Sequence, residues 1–151
     1  MRLRTGLLAL LAGGALALGG GAVTAPRAEA LCWNYGCDGS NPQTTGCSGS
    51  AINAAYDYFD IAGSPNMGLV EARYSRSCVS QWTRGSFTPT AYQYPSLSQI
   101  NIHGTHGTRN GAVGSGTNSW YTAQLGALNN QYYSSVTFVM WGGYYGSTAY
   151  G

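Results

Sequence analysis

The sequence predicts an all-β domain, a small antiparallel sandwich or barrel stapled by two disulfides. Three observations predict it: apolar residues alternate at period two over short stretches, clusters of Gly, Pro, Asn and Ser separate those stretches, and four cysteines lie between positions 32 and 78, behind an apolar leader.

The leader comes first. Arg2 and Arg4 give a positive start, Leu7 to Leu18 form an apolar run, and Ala28-Glu29-Ala30 supplies the small-x-small pattern that signal peptidase reads. A signal peptide over residues 1–30 is expected, with cleavage after Ala30. Val23-Thr24-Ala25 fits the same pattern, but Pro26 directly after it blocks cleavage. The apolar run is shorter than the about 20 residues a membrane-spanning helix needs, so the expected product is secreted and extracellular, without a membrane span.

Residues 31–151 then make a single secreted β domain with a Gly/Tyr-rich C-terminal tail. Its charged side chains are Arg73, Arg76, Arg84 and Arg109 against Asp38, Asp57, Asp60 and Glu71, so it is neutral, and it has no lysine. Nucleic acid and polybasic membrane attachment both need clustered cations, and neither partner is expected. All the Trp, Tyr and Phe residues lie after position 30, which leaves a surface of Ser, Thr, Asn, Gln and Gly. An extracellular polymer, such as a cell-wall component, is the partner this surface suits, and no cofactor is implied.

Along the chain, Ile52, Ala54, Tyr56 and Tyr58 alternate with Asn53, Ala55, Asp57 and Phe59, which predicts a strand with one largely apolar face. A helix capped at Ser48 or Ser50 competes there, because alanines permit it. Gly63-Ser64-Pro65-Asn66 is turn chemistry, and the alternation over Met67 to Ser75 makes a hairpin with the preceding strand. Cys78, Ser80 and Trp82 share a face, which puts a sulfur and an indole in one layer. Leu97–Ile102, Ser119–Leu125 and Tyr132–Trp141 are further strands. Gly107 to Asn118 reads as a glycine-rich loop that lacks the strand-to-helix setting of a phosphate-binding loop, and the stretch from Trp141 to Gly151 as a loosely held tail.

Four cysteines permit three pairings. Cys32 with Cys37 and Cys47 with Cys78 is preferred, because the second bridge ties the proline loop to the Trp82 strand. A zinc site is disfavoured by the oxidising setting and by the absence of Cys-x-x-Cys spacing.

The segment Cys32-Trp-Asn-Tyr-Gly-Cys37-Asp-Gly-Ser-Asn-Pro-Gln-Thr-Thr-Gly-Cys47, with Val70-Glu-Ala-Arg-Tyr-Ser-Arg-Ser-Cys78-Val-Ser-Gln-Trp-Thr-Arg84, resembles the YjfA-like family of small secreted bacterial domains. The likeness spans Cys32 to Arg84. What it implies is a setting, a secreted domain of unknown function, and no mechanism; the Tyr- and Gly-rich second half matches neither motif.

Several constellations could carry chemistry. Glu71 and Arg73 share a strand face, with Arg84 and Arg76 nearby; they form a charge network, or Arg73 or Arg76 grips an acidic ligand through its planar fork. His103 and His106 are spaced for a metal, but the third ligand is missing and Gly104 stands where zincins place Glu, so no metal is expected. They remain the residues that an extracellular hydrolase would use, although no nucleophile elbow selects a serine. Asp38-Gly39-Ser40-Asn41 lacks the further acids of a calcium loop and reads as a turn. Trp120, Tyr121, Tyr144 and Tyr145 are the candidate exposed aromatics for binding or assembly. The expected function is a non-catalytic binding or envelope-associated module, with an extracellular hydrolase and a self-assembling surface protein as alternatives.

Overall fold

The computed structural model describes residues 30–61, 64–87, 96–116, 118–129, 131–140 and 143–151. Residues 1–29 of the predicted leader, and Trp141, lie outside them. Within them the strands are β1 (Ala51–Ile61), β2 (Ser64–Ser75), β3 (Ser80–Phe87), β4 (Ser96–Gly104), β5 (Gly107–Asn110), β6 (Ala112–Gly116), β7 (Ser119–Thr122), β8 (Leu125–Gly126), β9 (Tyr132–Met140) and β10 (Gly143–Tyr150). They form two antiparallel sheets packed as a sandwich. The first has the order β1-β2-β3-β7-β6, with β8 also paired to β3; the second has the order β10-β9-β4-β5.

The competing helix at 52–59 does not form: β1 pairs with β2 from Ala51↔Ser75 to Ile61↔Ser64. Of the expected turn, Gly63 lies outside the described residues and Ser64–Asn66 open β2, where Asn66 takes the left-handed conformation that Asn tolerates, φ +56°, and its N–H donates to Asp60 Oδ1 at 2.9 Å. The alternation read along β1 needs correcting, because register shifts at Asn53/Ala55 and Phe59/Ile61 change which residues face inward. Ala55 and Phe59 pack on the core, whereas Tyr56 and Tyr58 stand exposed. Phe59 lies opposite Gly68, where a Cβ would come within 1.8 Å of its ring; only glycine lets the ring lie flat there.

Phe59, Met67, Val70 and Phe87 of the first sheet meet Ile100, Val136, Phe138 and Ala149 of the second in one core. Phe138 is its centre. Its ring centroid lies 5.7 Å from Phe59, 5.6 Å from Phe87 and 5.1 Å from Trp120, within the favourable range for aromatic pairs.

Two segments expected to be irregular are strands. Within Gly107 to Asn118 lie β5 and β6, where the chain passes from the second sheet to the first through Gly111 with φ +81°, and the described part of the expected loose tail holds β10, paired with β9 from Gly143↔Met140 to Tyr150↔Tyr133. β5, β6 and β10 all lie at sheet edges. Glycine weakens a strand interior but is tolerated at an edge, and in β10 the inward-facing Tyr145 and Ala149 supply the burial that its glycines do not.

Residues 30–50 lie over the outer face of the first sheet. Their links include Asn34 N–H to Cys78 O at 2.6 Å, Gly39 N–H to Gln124 O at 2.9 Å and Gln124 N–H to Ser40 O at 2.9 Å. The buried Gln124 side chain binds both sides, donating to Thr45 Oγ1 and accepting from Ser80 Oγ. The preferred disulfides, Cys32–Cys37 and Cys47–Cys78, are those present. With Trp82 they form a second apolar cluster, so the shared layer of Cys78 and Trp82 is as read. No helix among the described residues is long and apolar enough to cross a membrane.

Candidate functional site

Strand alternation sorts the second sheet into an inner face and an outer one. Ile100, Ile102, Val136 and Phe138 are buried inside, so their sequence neighbours point out. The register then builds three cross-strand rows on the outer face: Gln99–Thr137–Gly146, Asn110–Asn101–Ser135–Thr148 and Thr108–His103–Tyr133–Tyr150. None of these residues is an Asp, Glu, Lys or Arg. The rows offer amides and hydroxyls, and the third ends in aromatic rings.

That aromatic row is tightly ordered. The His103 and Tyr133 rings stack at 4.4 Å and 14°, and the Tyr133 and Tyr150 rings are 5.7 Å apart. Thr108 Oγ1 lies 3.1 Å from His103 Nδ1 and fixes the imidazole edge. Beside the row lies a cleft of about 520 Å³ lined by His103, Gly104, Thr105, Gln131, Tyr132, Tyr133, Tyr150 and Gly151. The rings are presented to solvent, since Tyr133 is 37% and Tyr150 75% exposed. Tyr132 reaches the cleft from the opposite face of β9, beside Gly151, and burial, with Tyr74 nearby, pushes its phenol up to about 12. The cleft can therefore take a flat, uncharged ligand: ring faces receive C–H groups while neighbouring hydroxyls and amides receive polar ones.

The residues expected to act scatter. Trp120 and Tyr145 pack inward against the core rather than forming an exposed patch, because their strand positions alternate with outward residues. The Tyr144 side chain lies outside the described residues. Arg76 stands exposed in the β2–β3 turn. Arg73 and Tyr121 come together with Trp82 and Arg84 on the outer face of the first sheet, around a separate hollow. Glu71 is there too: it is buried, accepts both Nε and Nη2 of Arg84, and lies 3.7 Å from Arg73 Nη1.

The two histidines do not converge. While His103 belongs to the aromatic row, His106 Nε2 lies 3.0 Å from Asp38 Oδ2 and its ring stacks on Tyr35 at 3.9 Å. Asp38 also accepts the Gly126 N–H at 2.6 Å, so this cluster ties the β4–β5 turn to the stapled segment and to β8. Among the described residues, the one His, Cys, Asp or Glu group close enough to share a metal is the four cysteines, and all four are in disulfides.

Sequence reading missed Tyr133 and Tyr150. A signal was present, since Tyr133 alternates with Ser135 and Thr137 on the face opposite Val136 and Phe138, but pairing with His103 and Tyr150 depends on register. No protein-family model, curated protein or solved structure matches this chain.

Proposed function

We propose that this domain is a secreted, non-catalytic binding module that holds a neutral extracellular polysaccharide, of the cell wall or its surroundings, on the outer face of the second sheet. The observation that carries this reading is the exposed His103–Tyr133–Tyr150 row closing an uncharged face of hydroxyls and amides. Sugar rings offer the complement, with apolar C–H faces and a hydroxyl rim. The leader at 1–30 and the likeness of the two cysteine motifs to the YjfA-like family support the extracellular setting. A hydrolase draws less support, because His106 is engaged by Asp38 and His103 by Thr108 and Tyr133.

The test is retention of the mature chain on insoluble cellulose, chitin and purified wall fractions at neutral pH. Retention on at least one is expected. Tyr133→Ala and Tyr150→Ala should each weaken it about tenfold, the scale of losing a well-placed aromatic contact. Their melting temperatures should stay near that of the parent, because both rings are exposed. A parent chain that washes off every fraction would refute the proposal.

A further inference from the structure

We infer that the hollow between the first sheet and the stapled segment is a second binding site, taking the carboxylate of a single acidic sugar residue. It stands independently of the aromatic row. Register brings its wall together from three strands: Arg73 opposes Trp82, and Arg84 opposes Tyr121, all on the outer face. Gln43, Ser48 and Gly49 of the stapled segment complete a hollow of about 250 Å³. That is below the roughly 300–1,000 Å³ of pockets that hold drug-sized ligands, and it limits the occupant to a small group or one residue of a polymer.

The charge balance selects an anion. Two guanidiniums line the hollow, no acidic residue does among those described, and the one carboxylate that answers them, Glu71, is buried behind them. Glu71 is 1% exposed and is saturated by Arg84 Nε and Nη2 and by Asn53 Nδ2 at 2.6 Å. Arg73 is oriented by Asn53 Oδ1 and Ala51 O. Arg84 keeps 43% of its side chain exposed, and among the described residues its Nη1 has no partner. The buried acid therefore acts as a positioning residue: with the Nε–Nη2 edge of Arg84 on Glu71, the Nη1 end of its planar group is left to donate to an incoming carboxylate. Arg73 already bears the cost of this crowding: burial and then the Arg84 charge lower its pKa, a penalty that an incoming anion relieves.

The apolar wall selects the carrier. Tyr121, half-buried, presents its phenol beside the arginines, while Trp82, 3% exposed, closes the floor beneath it; the ring rewards a carrier with C–H faces over a bare inorganic anion. Ser48 Oγ, which donates to Gln43 Oε1 at 3.0 Å, places a hydroxyl and an amide on the rim for sugar hydroxyls.

The experiment is an NMR titration of the mature chain with sodium glucuronate, glucose and inorganic phosphate in parallel. Glucuronate should shift the signals of Ser48, Gly49, Arg84 and the Trp82 indole and bind at least about tenfold tighter than glucose, the scale of one charge-assisted contact. Arg84→Gln should weaken it about tenfold. Because Arg84 also holds the buried Glu71, a Gln43→Ala/Ser48→Ala variant that touches no ion pair provides a second test, and it should weaken binding about threefold, the effect of a modest hydrogen bond. Glucuronate binding should vanish in 1 M salt, where the Debye length is about 3 Å, whereas stacking on the second sheet is uncharged and should survive, which separates the two sites. An equal response to glucose, binding of phosphate without glucuronate, or shifts confined to other surfaces would each overturn the assignment.

Discussion

The two outer faces of this sandwich use opposite chemistry. That of the first sheet holds Glu71, Arg73 and Arg84 and is covered by the disulfide-bonded 30–50 segment, whereas that of the second is open and consists of amides, hydroxyls and rings. The difference follows from how each sheet is held. β9 pairs along its length with both β4 and β10, so the second sheet has long ladders, interrupted only by the shift between Leu97 and Gln99. In the first, β3 is bonded to β7 only over Arg84–Ser86 and to β8 only over Ser80–Gln81. The gap at Trp82 and Thr83 is closed by other means: the Thr83 N–H donates to Thr122 Oγ1 at 3.1 Å, and the sulfur cluster packs on Trp82. Covalent and ionic ties gather where the ladder is broken.

The strongest way to break this comparison is to remove the Cys47–Cys78 bridge by a double Ala substitution. A loss of about 2–5 kcal/mol is expected, measured by denaturant unfolding. Hydrogen exchange should rise first in residues 30–50, β7 and β8, while β4, β9 and β10 keep their protection. Unchanged stability under strong reductant would mean that the gap needs no staple.

The next effect is smaller. Glu71→Gln keeps the shape but leaves Arg73 and Arg84 facing each other without their counter-charge. It should cost about 1–3 kcal/mol, toward the low end because Arg84 remains well hydrated. Chemical denaturation at pH 7 measures it, and the loss should shrink in high salt, which screens the remaining repulsion. A salt-independent loss would locate the cost in packing instead.

Much of the fold could be read from the sequence because its signals are local. The alternation of Val136 and Phe138 with Thr137 and Val139 marks a strand wherever that strand is placed; Cys78 and Trp82 do share a layer, but Cys78 reaches it from the turn before β3, where Val79 takes φ +50°. What could not be read depends on pairing. The bulge at Asn53/Ala55 inverted the faces of Tyr56 and Tyr58, and edge position turned glycine-rich segments into β5, β6 and β10. For the same reason the candidate site was half legible. Glu71, Arg73 and Arg84 sit two apart or directly across a hairpin, so their meeting is short-range. His103, Tyr133 and Tyr150 come from three strands up to 47 positions apart, and only the register of β4, β9 and β10 aligns them.

The smallest effect probes the boundary between the open face and the core. Tyr132 neighbours the exposed Tyr133 but points inward toward Tyr74, and burial raises its phenol from the usual value near 10 to about 12. Above about pH 10 the unfolded chain releases that proton while the folded chain retains it, so the unfolded state binds fewer protons and stability falls as pH rises. The fall should run from about pH 10 to about 12 and be absent at neutral pH. Tyr132→Phe should change little at pH 7 and make the alkaline limb shallower, as followed by reversible urea unfolding with the disulfides intact. If the variant and parent limbs coincide, the Tyr132 phenol is hydrated from the cleft that it lines, and its burial contributes nothing to the alkaline limb.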